Sequence, residues 1–202
     1  MATKEDILEQ LVEDFLIHRG YFVRHNIKFL PRNDHPDFKV KLDSNHSDID
    51  VLGYHPRLHG ADRVWAVSCK SWQNGFHVSS KLSEIKENKR VSGREAWKFF
   101  RELTIPKWSE AFIGAVEKET GQTKFTYVTA VTKLVGDPKL WESYAPFCKA
   151  MANNPIRIIT LRAMLNEVNG DVGTTLAGTE LGRMLQLIRA AGDDLSGASQ
   201  SI

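Results

Sequence analysis

The sequence predicts an α/β fold with a central mixed sheet flanked by helices. Segments of helical period alternate with short runs rich in β-branched and aromatic residues. Along the chain they read α, β, β, β, α, β, α, β, α, an order that one sheet covered on both faces would satisfy. The chain has 202 residues, 42% hydrophobic and 26% charged. That is enough to bury a sizeable core in a single domain.

Each element has its own local signal. Residues 3–19 read as an amphipathic helix with Thr3 as N-cap and Asp6 three positions on. Ile7, Leu8, Leu11, Val12, Phe15 and Leu16 form its apolar stripe, and Gly20 stops it. "YFVRHNIKF" (21–29) alternates as a strand, and the turn-rich stretch 30–46 reads as a long loop. Strands follow at "SDIDVLGY" (47–54) and "RVWAVSCK" (63–70). From Ser79 or Ser80 the period turns helical for most of forty residues, and Gly93 and Pro106 divide that region into three helical pieces. "KFTYVTAVTKL" (124–134) reads as a strand. A helix over about 137–151 follows, with Pro138 in its first turn. "IRIITL" (156–161) is a strand and "RAMLNEVN" a short helix. "TTLAGTELGRMLQLIRAAG" is an amphipathic helix suited to packing on the sheet or on a second subunit, and 193–202 reads as a loose tail.

Composition narrows the function classes. A formal net charge of +2 permits a nucleic-acid partner without requiring one. Cys69 and Cys148 lie far apart with no CxxC, so neither a zinc site nor a disulfide framework is predicted. The charged start and the lack of a long apolar run predict a cytoplasmic protein with no membrane span. No Gly-rich loop joins the first strand to a helix, so neither a P-loop nor a dinucleotide fold is supported. His46, His55 and His59 cluster in loops, where solvated histidines are common.

Alternation along the strands gathers charge on one face. Ile49 and Val51 are predicted to point one way, Asp48 and Asp50 the other. Trp65, Val67 and Cys69 share one face of the next strand; Ala66, Ser68 and Lys70 share the opposite one. If these strands are neighbours, Asp50, Ser68 and Lys70 meet near the strand ends. The competing explanations are a charged edge strand and a lysine that snorkels from its end.

This layout resembles the PD-(D/E)XK nuclease superfamily, whose restriction endonuclease-like core runs αβββαβ. "SDIDVLG" resembles the motif supplying an Asp, here Asp50, with Asp48 as the alternative. "VWAVSCK" resembles the acid-x-Lys triplet, with Lys70 in the lysine place and Ser68 where the acid usually stands. The resemblance covers about residues 5–135. It implies a single nuclease-like domain over 1–192, with a C-terminal αβαα extension at about 136–192. One subgroup of type II restriction enzymes also reads Ser-x-Lys and draws the acid from the following helix. Glu84 follows Lys70 at that spacing, thirteen residues intervening, and Glu87 is one turn further on.

The resemblance implies Mg²⁺ (or Mn²⁺) held by Asp50, Glu84 and the Cys69 backbone carbonyl, with Lys70 assisting the attacking water. Glu9, or alternatively Glu13, would reach metal-bound water from the first helix. Trp72, Gln73, Lys81 and Lys86 are the candidate DNA contacts, although interleaved glutamates also fit a solvated helix face. Many members dimerise to cut both strands, so the resemblance admits a homodimer. The expected function is Mg²⁺-dependent DNA cleavage of restriction, repair or mobile-element type. The alternative is a nuclease-fold binding or interaction module in which Ser68 marks lost catalysis.

Overall fold

In the computed structural model, residues 4–72, 74–171 and 177–192 are described. Helix α1 (Lys4–His18) precedes strands β1 (Phe22–Phe29), β2 (Ser47–Tyr54) and β3 (Val64–Lys70). Then come α2 (Val78–Lys86), α3 (Pro106–Thr120), β4 (Thr126–Val131), β5 (Ile156–Thr160), α4 (Leu161–Asp171) and α5 (Glu180–Ala190). The protein is therefore mixed α/β, with one five-stranded sheet in the order β1-β2-β3-β4-β5. The first three strands pair antiparallel, while β4 and β5 run parallel to β3. Parallel neighbours need crossovers, and the helical segments between β3 and β4, and between β4 and β5, supply them.

The sheet separates two apolar cores. On one face, Leu8, Val12, Phe15 and Leu16 of α1 pack with Val51, Trp65, Val67 and Val128, joined by side chains of α4 and α5. Gly53 lets α1 lie close, since a Cβ there would come within 3.1 Å of Leu16 and Tyr21. Asp14 of α1 accepts a 2.7 Å bond from the Leu181 N–H, which ties α1 to the start of α5. On the other face, Trp108, Phe112 and Val116 of α3 pack with Phe29, Leu52, Ala66 and Tyr127. Trp141 and Phe147 extend this core beside Phe76 and Phe100.

Three predicted elements need correction. The 30–46 loop contains a short helix, Val40–Asp43, held by buried Asp43. The region after α2 is not three helical pieces. Arg90–Val91 and Arg94–Glu95 form a two-stranded hairpin, followed by a 3-10 turn (Ala96–Phe100) and the short helix Arg101–Thr104. Ser92 and Gly93 have φ of 51° and 82°, so the Ser-Gly pair makes a turn with both central residues left-handed. The helix expected over 137–151 is two pieces, Lys139–Glu142 and Ala145–Ala150. Pro146 explains the break, because its missing N–H suits a first helical turn and cannot continue a preceding helix.

Candidate active site

Strands β2 and β3 are neighbours, with Val51 opposite Val67 and Leu52 opposite Ala66. Trp65, Val67 and Cys69 face the α1 core, so Ser68 and Lys70 lie on the opposite face, as alternation predicts. Alternation in β2 fails at one step. Ile49 packs in the core of Leu52 rather than that of Val51. The register passes over Asn26 and Asp50, and Asn26 has φ of 52°, which bends β1 opposite Asp50. The bend sets Asp50 at the end of the regular pairing, facing β3.

A polar cavity of about 400 Å³ opens at this point, lined by Asp48, Asp50, Ser68, Lys70, Glu102 and Glu9 among others. Asp50 is half-buried, and its Oδ2 accepts a 2.5 Å hydrogen bond from the Cys69 N–H. Its carboxyl is pushed up to about 6. Burial is the main cause, the Lys70 charge and the Cys69 N–H oppose it, and the charges of Asp48 and Glu102 add to it. Lys70 is half-buried, its Nζ 5.9 Å from the Phe100 ring centre. The backbone contact at Cys69 thus runs through its N–H, while its side chain is buried in the α1 core.

Glu102 is a residue that the sequence reads only as one of the interleaved glutamates of a solvated helix face, and the structure buries it instead. It lies in the short helix Arg101–Thr104, is only 6% exposed and lines the Asp50 cavity. The buried Tyr127 hydroxyl of β4 donates to its Oε1 at 2.5 Å. Burial, then the Glu102 charge, raises the Tyr127 phenol well above its usual range, while a hydrogen-bonding contact from Ser68 opposes this. No local signal marked Glu102, because Arg101 and Lys98 beside it give the mixed charge of an ordinary surface helix.

The other candidates are distributed around this cavity. Glu9 is half-buried along its lining, and Asp48 is exposed. Glu84 does not enter it. Glu84 lines an adjoining cavity of about 530 Å³, and its Oε2 accepts from Lys81 Nζ at 2.7 Å. Glu87 is exposed, bonded by Ser83 at 2.6 Å and paired with Lys89 at 2.8 Å. Glu13 pairs with His25 at 3.0 Å. Trp72 lines both cavities, stacked on Phe76 at 5.4 Å. The Lys81 Nζ stands 4.7 Å from the Trp72 ring centre, and that of Lys86 stands 5.1 Å from the Tyr144 ring centre. Gln73 lies outside the described residues.

Among the described residues, no three His, Cys, Asp or Glu side chains stand close enough to hold a metal ion by themselves. Mg²⁺ commonly takes only one or two carboxylates and completes its shell with water and substrate phosphate. Asp50 and Glu102 meet that requirement in kind: two buried or half-buried carboxylates on one polar cavity. The cavity thus has oxygen donors for a hard cation and a lysine beside them. Among the described residues, no helix is long and apolar enough to cross a membrane. No family model, curated protein or solved structure matches the chain.

Proposed function

We propose that this chain is a Mg²⁺-dependent (or Mn²⁺-dependent) DNA endonuclease of the PD-(D/E)XK type, acting on phosphodiester bonds. The observation that carries the reading is the meeting of Asp50, Lys70 and Glu102 on one polar cavity where the β2–β3 pairing ends. The helix, three-strand, helix, strand order ahead of that cavity supports it. The migrated acid is better assigned to Glu102 than to Glu84, because Glu84 lines the adjoining cavity and pairs with Lys81.

Asp50 and Glu102 are the residues that would hold the cation, and Asp48 and Glu9, which line the same cavity, would meet its water shell. When bound, such a cation lowers the pKa of a coordinated water and neutralises phosphate charge. The chain's own residues do the rest. The Cys69 N–H fixes one Asp50 oxygen, and the Tyr127 hydroxyl fixes one Glu102 oxygen, so both carboxylates are oriented before substrate arrives. Lys70 orients the attacking water and meets the negative charge that develops on the phosphate.

The test is cleavage of plasmid and branched DNA with Mg²⁺. Asp50→Ala, Lys70→Ala and Glu102→Gln are each expected to lose roughly 100-fold or more, and Glu84→Ala to lose little. Full activity in the Asp50 and Lys70 variants overturns the assignment. DNA binding that ignores divalent metal, with no cleavage by the unmutated chain, supports an inactive binding module instead. Ser68 in the place of the usual acid is the feature favouring that second reading.

A further inference from the structure

The 90–95 hairpin stands at the border of the two adjoining cavities. Ser92 lines both of them, Arg94 lines the Asp50 cavity and Val91 the other. The hairpin is anchored at its base: the Ala96 N–H donates to the Lys89 carbonyl at 2.8 Å, and the Lys89 N–H to the Glu84 carbonyl at 2.9 Å. Its tip is the tight Ser92–Gly93 turn with both φ values positive. A short, closed hairpin of this kind holds its side chains in place at little entropic cost on binding.

Cations near the cavities are seated on aromatic rings. Lys81 stands over Trp72 at 4.7 Å, Arg94 over Phe99 at 5.4 Å and Lys98 over Trp97 at 5.5 Å. A ring face positions a cation without cancelling its charge. Lys81 and Lys98 also pair with carboxylates, Glu84 and Glu95, each at 2.7 Å. Arg94 has no carboxylate partner among the described residues, and it is exposed. The same cavity is also lined by Lys70 and Lys98, and a guanidinium seated on a ring without a carboxylate partner is matched to a phosphate, whose oxygens it can meet with two N–H groups.

We propose that the 90–95 hairpin is a phosphate clamp for DNA, in which Arg94 holds the phosphodiester next to the one presented to Asp50 and Glu102. The inference rests on the nuclease reading above and adds a positioning residue to it. Arg94 acts on the strand and takes no part in bond cleavage.

The experiment measures binding of a short labelled DNA duplex to the Asp50→Ala chain, in Mg²⁺, across about 50 to 200 mM salt. Arg94→Gln, Arg94→Lys and Arg162→Gln are added in turn to that chain, Arg162 being exposed on α4 away from both cavities. Cleavage by the unmutated chain and by Arg94→Gln alone is measured in parallel. The clamp predicts that Arg94→Gln weakens binding roughly tenfold and lowers the salt slope by about one. Arg94→Lys recovers the slope but not the full affinity, Arg162→Gln changes neither, and Arg94→Gln alone raises KM more than it lowers kcat. Equal affinity and slope for the parent and Arg94→Gln overturn the clamp, even if cleavage establishes the nuclease. Arg94-dependent binding with no cleavage supports the clamp and overturns the nuclease. Absence of binding by the parent chain overturns the clamp, whatever the cleavage assay shows.

Discussion

On the proposed nuclease reading, Ser68 stands where an acid would complete the pair of Asp50 and Lys70, and Glu102, held by the Tyr127 hydroxyl, lines the same cavity. A hydroxyl needs no counter-charge in a buried strand, so the carboxylate can arrive from a helix that the sheet does not constrain. Asp50 shows the cost of the arrangement. Its carboxyl, at about 6 against an ordinary 3.8, binds its proton more tightly in the folded state than in the unfolded chain. Its contribution to stability is therefore fully present below about pH 4 and is lost as pH rises through about 6. In chelator at pH 8, Asp50→Asn is expected to raise Tm by a few degrees, and the gain should vanish toward pH 4. A Tm at pH 8 equal to or below that of the unmutated chain would show that the carboxylate is not desolvated in this way. The shared face of Ser68 and Lys70 was legible because strand alternation is a local rule, whereas the placement of Asp50 depends on the bend opposite Asn26. Glu102 was not legible, because its partner Tyr127 is 25 residues away in sequence.

Among the elements, the segment leading into β2 shows how a loop can be held without a core of its own. Asp43 is 2% exposed and gathers the Lys107 ammonium at 2.5 Å, the Trp108 indole N–H at 3.2 Å and the Lys39 N–H at 2.7 Å. Lys107 also donates to the Asp37 carbonyl at 2.7 Å, so one buried lysine on α3 fastens two points of the loop. Burial opposes ionisation of Asp43, but the bonds from Lys107, Lys39 and Trp108 outweigh it and keep the carboxyl below its ordinary range. Its stabilising contribution is then present above the unfolded carboxyl value and is lost as pH falls through the folded one. Lys107→Met strands a buried carboxylate and is expected to cost about 3–5 kcal/mol near pH 7. The gap to the unmutated chain should narrow as pH falls toward 4, read by urea denaturation. A gap that is constant with pH would mean that the pair contributes packing alone. The 90–95 hairpin was written in the sequence as Ser92-Gly93 but was hidden inside a run that also fits a helix. Which of two local options wins depends on whether the side chains find a core, and here Val91 does not become buried while Ala96 does.

At the scale of the whole molecule, one sheet serves two cores, and the residues after β4 belong to both. Trp141, fully buried, touches Phe76, Phe100 and Phe147 with ring centres 4.8 to 4.9 Å away, and its indole donates to Thr129 at 3.2 Å. Phe100 carries Lys70 above its ring, so this aromatic cluster also supports the candidate site. Trp141→Ala is expected to remove about 3–5 kcal/mol in a single cooperative transition. Two separate transitions, with the one reported by a site probe unmoved, would show that the 136–192 segment folds independently of the first core. The sequence by itself determined the α/β class, the strands read at 47–54, 63–70 and 156–161, and the face shared by Ser68 and Lys70. Period and alternation are set by covalent geometry and need no distant partner. Only the tertiary structure decided that Glu102 rather than Glu84 reaches the Asp50 cavity, and that β2 breaks its alternation opposite Asn26. It also decided that a hairpin borders the site. Each of those outcomes turns on which segments the two cores bring together, and burial and charge pairing across the sheet are properties of the folded whole.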